Sequence, residues 1–304
     1  VDNGSDCPIL FYFHGAGGTN AWFSKLSNVH DHNFIGVYPQ GEDGWNTGPK
    51  DTNSCDWDDF ECTTDPNETQ FIYNIIDGLR LEGASGNVYL IGNSNGAALT
   101  YRVAVNALVT YGIKGIVAKV TQLLAEPERS GPGPHNYNVI MEKSFMSTPK
   151  ISVLNIMGSD DTVIPYEGGS SSVFGSYDEF QLMNAYESIM AWSNHNGCEE
   201  TPIKSEFVTD YGTGVGTKYE FQNCLEGTRV MHYNIDGAGH NVGGATIDGE
   251  KVDYTIIYEF IHNLEDGTSS PPPAPTVPAP TPTGGAWYDD DDDETPTPTV
   301  PAPT

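Results

Sequence analysis

The chain has 304 residues and a formal net charge of −29, with 42 Asp and Glu against 13 Lys and Arg. That balance argues against nucleic acid and anionic membranes as partners, and no apolar run reaches transmembrane length. The acidity is read as a solvated surface suited to salt water or to an acidic compartment.

In chain order, the first expected strand is Ile9–Phe13, which runs into His14-Gly15-Ala16-Gly17-Gly18. Glycines directly after an early strand make either a flexible turn or a loop whose backbone N–H groups face a reaction centre. The histidine-rich "VHDHNF" around His30 and His32 reads as a polar turn before the next strand, Phe34–Tyr38. Two histidines with no third ligand in reach make no metal site. Phe71, Ile72, Ile75, Ile76 and Leu79 then form an apolar stripe at helical spacing.

Val88–Ile91 is the next strand, and it meets Gly92-Asn93-Ser94-Asn95-Gly96 before a looser helical stripe of Ala98, Leu99, Val103 and Leu108. G-x-S-x-G between a strand and a helix is either an ordinary turn or a turn that holds a serine out as a nucleophile. The helix N-terminus is then aimed at that serine. A hydroxyl needs a base, and the base needs an orienting acid. After the strands Ile116–Val120 and Ile151–Met157, "GSDDTVIPY" places Asp160 and Asp161 just past a strand end. A third stripe (Phe180, Met183, Ile189, Met190, Trp192) follows, then a small hairpin of Lys204–Val208 and Tyr219–Gln222. The strand Val230–Ile235 leads to "DGAGHNVGG", with His240 just past its end, and Ile256, Ile257, Phe260, Ile261 and Leu264 form a last helix.

Short apolar strands that alternate with helices, without in/out alternation, predict an α/β fold whose mostly parallel sheet is covered on both faces. Ligands of such sheets bind beyond the carboxyl ends of the strands. Ser94, an Asp of the 160–161 pair and His240 stand there in the order Ser, acid, His. They are the candidate triad. The N–H groups of Ala16 and Asn95 are the candidate oxyanion hole. Trp22, Trp45 and Tyr166 follow strand ends and are candidate substrate contacts, with ordinary packing as the alternative for each. No cofactor and no metal are expected.

The composition changes once, near Gly267. Residues 1–266 are expected to form one catalytic domain. Residues 267–304, Pro/Thr-rich with almost no large apolar residue, are expected to be a disordered linker. The acidic run Asp289–Glu294 supplies six charges and the tail has no Lys or Arg, which leaves the domain at −23. The heptad PTVPAPT occurs at Pro275–Thr281 and again at Pro298–Thr304. Its second copy ends the chain and Val1 starts it, so a longer parent protein is expected, with a further module beyond the linker and a truncated N-terminus.

Cys55 and Cys62 are close enough in sequence for a local bridge, and Cys198 and Cys224 flank the hairpin they could staple. Cys7 is left over, as a buried thiol or as the partner of a residue outside the chain. Asn3-Gly-Ser5 and Asn67-Glu-Thr69 fit the glycosylation pattern. Bridges, sequons and a Pro/Thr linker together point to secretion.

These segments resemble the secreted esterases grouped as polyhydroxybutyrate depolymerase-like and feruloyl or acetylxylan esterases. The likeness covers most of residues 8–264. It is carried by "LFYFHGAGG", "FIGVYPQGEDGWNTG", "VYLIGNSNGAALTYRVA", "MGSDDTVIPYEGG", "WSNHNGC" and "IDGAGHNVGG". The resemblance implies an α/β-hydrolase fold, with Asp161 rather than Asp160 as the acid beside Ser94 and His240. It also implies a Cys198–Cys224 bridge. After the histidine the family often has Thr-Trp-Pro, where this chain has Asn241-Val242-Gly243. The expected function is hydrolysis of esters on a polymer: feruloyl or acetyl groups of polysaccharide, or polyhydroxybutyrate-type polyester. A noncatalytic polymer-binding or adhesion protein on the same fold is the alternative.

Overall fold

A computed structural model describes residues 6–42, 44, 45, 47, 67–105, 107, 109–125, 149–171 and 181–267. The strands in chain order are β1 (Ile9–Phe13), β2 (Ile35–Val37), β3 (Val88–Asn93), β4 (Ile113–Lys119), β5 (Ser152–Gly158), β6 (Gly169–Ser170), β7 (Gln181–Leu182), β8 (Ile203–Val208), β9 (Val215–Phe221), β10 (Val230–Ile235), β11 (Thr246–Ile247) and β12 (Glu250–Lys251). The helices are α1 (Asn20–Leu26), α2 (Glu68–Leu81), α3 (Asn95–Val105), α4 (Ala185–His195) and α5 (Ile257–Glu265).

Eight strands form the main sheet in the order β2-β1-β3-β4-β5-β10-β9-β8. The first six of these pair in parallel, and β9 and β8 continue the sheet antiparallel. Every residue of β1 and of β5 is buried, as strands covered on both faces require. Register identifies the two faces. Tyr12 lies level with Ile91, Val117 and Leu154. On that side it packs on Phe23 of α1, and its hydroxyl meets Tyr258 of α5. The next row is Phe13, Gly92, Ala118 and Asn155. Side chains alternate along a strand, so Asn155 reaches the opposite face, where it donates to Tyr101 of α3. Tyr101 in turn stacks near Trp192 of α4.

Several expectations change. The expected hairpin is no separate unit. It is the antiparallel edge of the main sheet, because β9 pairs from Gly216 to Phe221 with the whole of β10 and buries Phe221, while β8 buries Phe207. β4 begins three residues earlier than expected, at Ile113. In α2 the buried face is Glu68, Ile72, Tyr73 and Ile76, whereas Phe71, expected in the stripe, is exposed. Tyr73 on this face stacks on Tyr111 with ring centroids 3.7 Å apart, and Phe71 lines an open cleft instead. The looseness of the α3 stripe has a reason: every residue from Gly96 to Val105 is buried, so the helix has no solvent face to mark with polar residues. α4 starts only at Ala185, after Asn184 accepts from the Tyr186 and Glu187 N–H groups as its cap.

Cys198 and Cys224 form a disulfide that ties the end of α4 to the far end of β9. Cys7 is a half-buried free thiol. Asn67, the acceptor of the second sequon, caps α2 through the Gln70 N–H. Cys55, Cys62, the first sequon and the Pro/Thr tail lie outside the described residues. Among the described residues no helix is long and apolar enough to cross a membrane.

Candidate active site

The site begins at the turn from β3 to α3. Ser94 has φ +53, a left-handed conformation that is costly for a residue with a β-carbon. The surroundings hold it there. Its N–H donates to the Lys119 carbonyl at 2.9 Å, and its own carbonyl accepts from Ala97 at 2.8 Å and Ala98 at 3.0 Å. The flanking glycines have a steric cause. A β-carbon on Gly92 would lie 2.2 Å from the Gly96 carbonyl oxygen, and one on Gly96 would lie 2.2 Å from the Phe13 carbonyl oxygen. Strand, helix and the end of β1 therefore touch through bare backbone, and the serine is pushed out between them.

His240 and Asp161 converge on this serine. His240 Nε2 lies 2.8 Å from Ser94 Oγ, and His240 Nδ1 lies 2.7 Å from Asp161 Oδ2. A carboxylate only accepts, so Nδ1 carries the proton and donates to Asp161, which leaves Nε2 to accept from the Ser94 hydroxyl. Asp161 is buried, and its other oxygen accepts from the Val163 and Ile164 N–H groups, each at 2.8 Å. Asp160 is exposed, and its side chain accepts from its neighbour Ser159. Of the two expected candidates, the structure brings Asp161 to His240. The acid loop and the histidine loop are tied to each other: the Asp160 N–H donates to Ala238, and the Gly237 N–H donates to Ser159 Oγ. Gly158 permits this approach, since a β-carbon there would sit 2.2 Å from the Ala238 carbonyl oxygen.

The loop after β1 lies against the nucleophile. A β-carbon on Gly15 would be 3.4 Å from Ser94 Cβ. Asn95 is the first residue of α3, where a backbone N–H has no partner within the helix. Two side chains that the sequence did not single out fix this region. His14 is buried; its Nε2 accepts from the Gly41 N–H at 3.0 Å, so the proton is on Nδ1, which donates to the Gly15 carbonyl at 2.8 Å. The Asn95 side chain accepts from the Trp45 N–H at 2.6 Å and donates to the Trp45 carbonyl and to Thr47 Oγ1. An H-G-x-G signal points to backbone donors. It carries no information about what the histidine itself bonds to 27 residues away.

The three candidate substrate contacts are placed differently. Trp45 is 6 % exposed; its indole N–H donates to the His14 carbonyl and its ring meets Phe13 edge-on. It braces the loop and also lines the open cleft beside Ala16 and Asn95. Tyr166 is buried, and its hydroxyl lies 2.9 Å from His232 Nε2, so it serves a buried polar chain rather than a ligand. Trp22 is 66 % exposed and lines a cavity beside Ser94. His32 packs among Phe34, Tyr258 and His262. Among the described residues no group of three or more His, Cys, Asp or Glu is placed to hold a metal ion.

The buried chain has a consequence for stability. His232 Nδ1 donates to Asn155 Oδ1 at 2.7 Å, and Asn155 Nδ2 donates to Tyr101, Ala118 and Thr121. Burial lowers the His232 pKa to about 3. The unfolded chain protonates this imidazole below about pH 6.5 while the folded chain keeps it neutral. Its contribution to stability is therefore complete above pH 6.5 and is lost as pH falls toward 3, by about 1.4 kcal/mol per pH unit. Urea unfolding of His232→Gln against the parent should show lower stability at pH 7 and a shallower decline between pH 6 and 4. Parallel declines would refute the assignment.

No family model matches the chain. It is 24 % identical over 265 residues to "Feruloyl esterase B" of Piromyces equi, an alignment that covers 83 % of this chain and 42 % of that protein. The chain thus spans less than half the length of that relative. Among solved structures it is similar to an acetyl xylan esterase from Aspergillus awamori, with a TM-score of 0.46 and 14 % identity over 78 % of this chain and 85 % of that one. It is also similar to Est1E from Butyrivibrio proteoclasticus, with a TM-score of 0.36 and 13 % identity over 88 % and 87 %. The fold is that of the α/β-hydrolases. The parallel core of the sheet, its helices on both faces and the strand–Ser94–helix turn at its centre carry that assignment.

Proposed function

We propose that this chain is a secreted serine hydrolase of carboxylic esters, acting on esters attached to a polymer. One observation carries the reading: Ser94, held at a left-handed backbone position, is in line with His240 and Asp161 at 2.8 and 2.7 Å. In this mechanism His240 Nε2 takes the Ser94 proton as Oγ bonds to the ester carbonyl carbon. The Ala16 and Asn95 N–H groups receive the developing oxyanion, each such donor contributing about 3 kcal/mol in the transition state. The tetrahedral intermediate collapses, the C–O bond to the alcohol breaks, and His240 returns the proton to the leaving alkoxide. Water, deprotonated by the same imidazole, then releases the acid and restores Ser94. Asp161 keeps the proton on Nδ1 and stabilises the imidazolium. Side chains and backbone groups of this chain supply every group these steps use.

The likeness to a feruloyl esterase supports feruloyl or acetyl esters of polysaccharide as substrate, and the quoted motifs also fit polyhydroxybutyrate-type polyester. The Cys198–Cys224 bridge, the sequons and the Pro/Thr tail support secretion and a further module beyond the linker. The test is labelling with a fluorophosphonate, followed by turnover of methyl ferulate, acetylated xylan and polyhydroxybutyrate. One label per chain, on Ser94, with hydrolysis of at least one ester is expected. A chain that stays unlabelled and inert on all three overturns the proposal in favour of a binding protein.

A further inference from the structure

Two clefts meet at Ala16. One is open, about 750 Å³, and is lined among others by Gln40, Trp45, Glu68, Phe71 and Asn95. The other is about 210 Å³ and is walled by Gly15, Trp22, Phe23, Asn93 and Asn241, with Lys119 and Asp253 also in its lining. Behind the ion pair only about 10 Å³ remains, lined by Tyr12, Ser27 and Ile257, which is too little for more than one water. The smaller cleft is therefore a pocket of finite depth: Ala16, Asn93 and Asn241, each close in sequence to Ser94 or His240 or in the oxyanion loop, line it together with the two charges.

Lys119 is the unusual member. It ends β4, and its carbonyl holds the Ser94 N–H, so its backbone is one hydrogen bond from the nucleophile. Yet the residue is 2 % exposed. Its ammonium has three donors. One reaches Asp253 Oδ1, the ring of Phe23 lies 5.7 Å away, and no other acceptor is present among the described residues. A buried ammonium with donors left over is costly unless something else meets them. The histidine loop leaves room for that partner: a β-carbon on Gly243 would lie 3.1 Å from Asp253 Oδ2 and 3.6 Å from Lys119 Nζ. The glycine keeps the ion pair open to the cavity.

We propose that Lys119 and Asp253 determine specificity by binding a hydroxyl at the far end of the acyl group. This rests on the hydrolase reading above. With the carbonyl oxygen at the Ala16 and Asn95 N–H groups, the two halves of an ester leave that point in different directions. The open cleft suits the alcohol, which in a polymer has no fixed end. The closed pocket suits an acyl group of limited length, its body against Trp22 and Phe23. A hydroxyl there satisfies both charges, because it accepts from the ammonium and donates to the carboxylate. A methoxy group only accepts, and a bare ring edge does neither.

The experiment compares kcat/KM for methyl 4-hydroxycinnamate, methyl 4-methoxycinnamate and methyl cinnamate, with Ser94→Ala as the blank. The hydroxylated ester is expected to be favoured over the other two by roughly tenfold or more, the usual scale for a hydrogen bond to a charged group. The double variant Lys119→Met/Asp253→Asn, which removes both charges and leaves neither unpaired, should bring the hydroxy-to-unsubstituted ratio to about one. A parental ratio near one, or a methoxy ester as good as the hydroxy ester, overturns the inference without needing the variant to fold. So does a double variant that loses activity on all three esters equally, as a structural ion pair would require. No turnover of the three cinnamates by a chain that a fluorophosphonate still labels on Ser94 overturns this inference alone; a chain that is also unlabelled overturns the hydrolase reading with it.

Discussion

Replacing Ser94 with Ala is expected to lower kcat for p-nitrophenyl acetate by about 10⁶, the loss seen when a serine hydrolase is stripped of its nucleophile. The side chain makes one contact that matters, the 2.8 Å bond to His240 Nε2, and the backbone around it is held by groups the substitution leaves alone. Thermal unfolding should therefore stay within a degree or two of the parent or rise slightly, since the left-handed backbone remains in either case. Asp161→Asn should cost about 10⁴, because an amide can present its N–H to Nδ1 and leave the proton on the wrong nitrogen. Here stability should fall as well: Asp161 is buried and accepts from Val163 and Ile164 in addition to His240. The two losses should not multiply in the double variant, because the residues act as one unit. Equal turnover by parent and Ser94→Ala would end the enzymatic reading.

What the sequence made legible was local. Strands β1 and β10 are where the apolar runs place them, and Ser94, Asp161 and His240 each follow a strand end, as short-range pattern requires. What it left unread was set by distant partners. Phe71 has the spacing of a core residue, but it lines the open cleft while Ile72, Ile75, Ile76 and Leu79 face the core. Tyr166 has the composition of a substrate contact, but its hydroxyl is taken by His232, 66 residues away. Lys119 lies inside the expected strand Ile116–Val120, and nothing in the sequence marks it. Only the placement of Asp253, 134 residues later, shows that its ammonium is buried in an ion pair. A glycine next to a serine reads as a turn from sequence. Which backbone it must touch is readable only once β1 and α3 are side by side.

That last point yields a prediction in which helix propensity and packing disagree. Gly96 lies in the first turn of α3, and by propensity alone Gly→Ala in a helix gains up to about 1 kcal/mol. The added methyl at Gly96 would meet the Phe13 carbonyl oxygen at 2.2 Å and the His14 carbonyl oxygen at 2.6 Å, both backbone atoms that cannot swing aside. Relief requires α3 to move away from β1, and β1 runs straight into the loop that carries Ala16. Gly96→Ala is expected to destabilise by about 1–3 kcal/mol, the range for forcing extra volume into a packed interior. It should also lower kcat by about 10²–10³, as if one oxyanion donor had been withdrawn. Gly78→Ala is the matched control. It lies within α2, and a β-carbon there meets nothing within 4 Å, so it should stabilise by about 1 kcal/mol and raise Tm by about 2–4 °C with kcat unchanged. The same substitution, Gly to Ala in a helix, thus carries opposite signs at two positions. Calorimetry and p-nitrophenyl acetate turnover on the pair decide the matter. If Gly96→Ala follows Gly78→Ala in both readouts, contact between β1 and α3 through bare backbone is not what holds Ser94 beside the Ala16 loop.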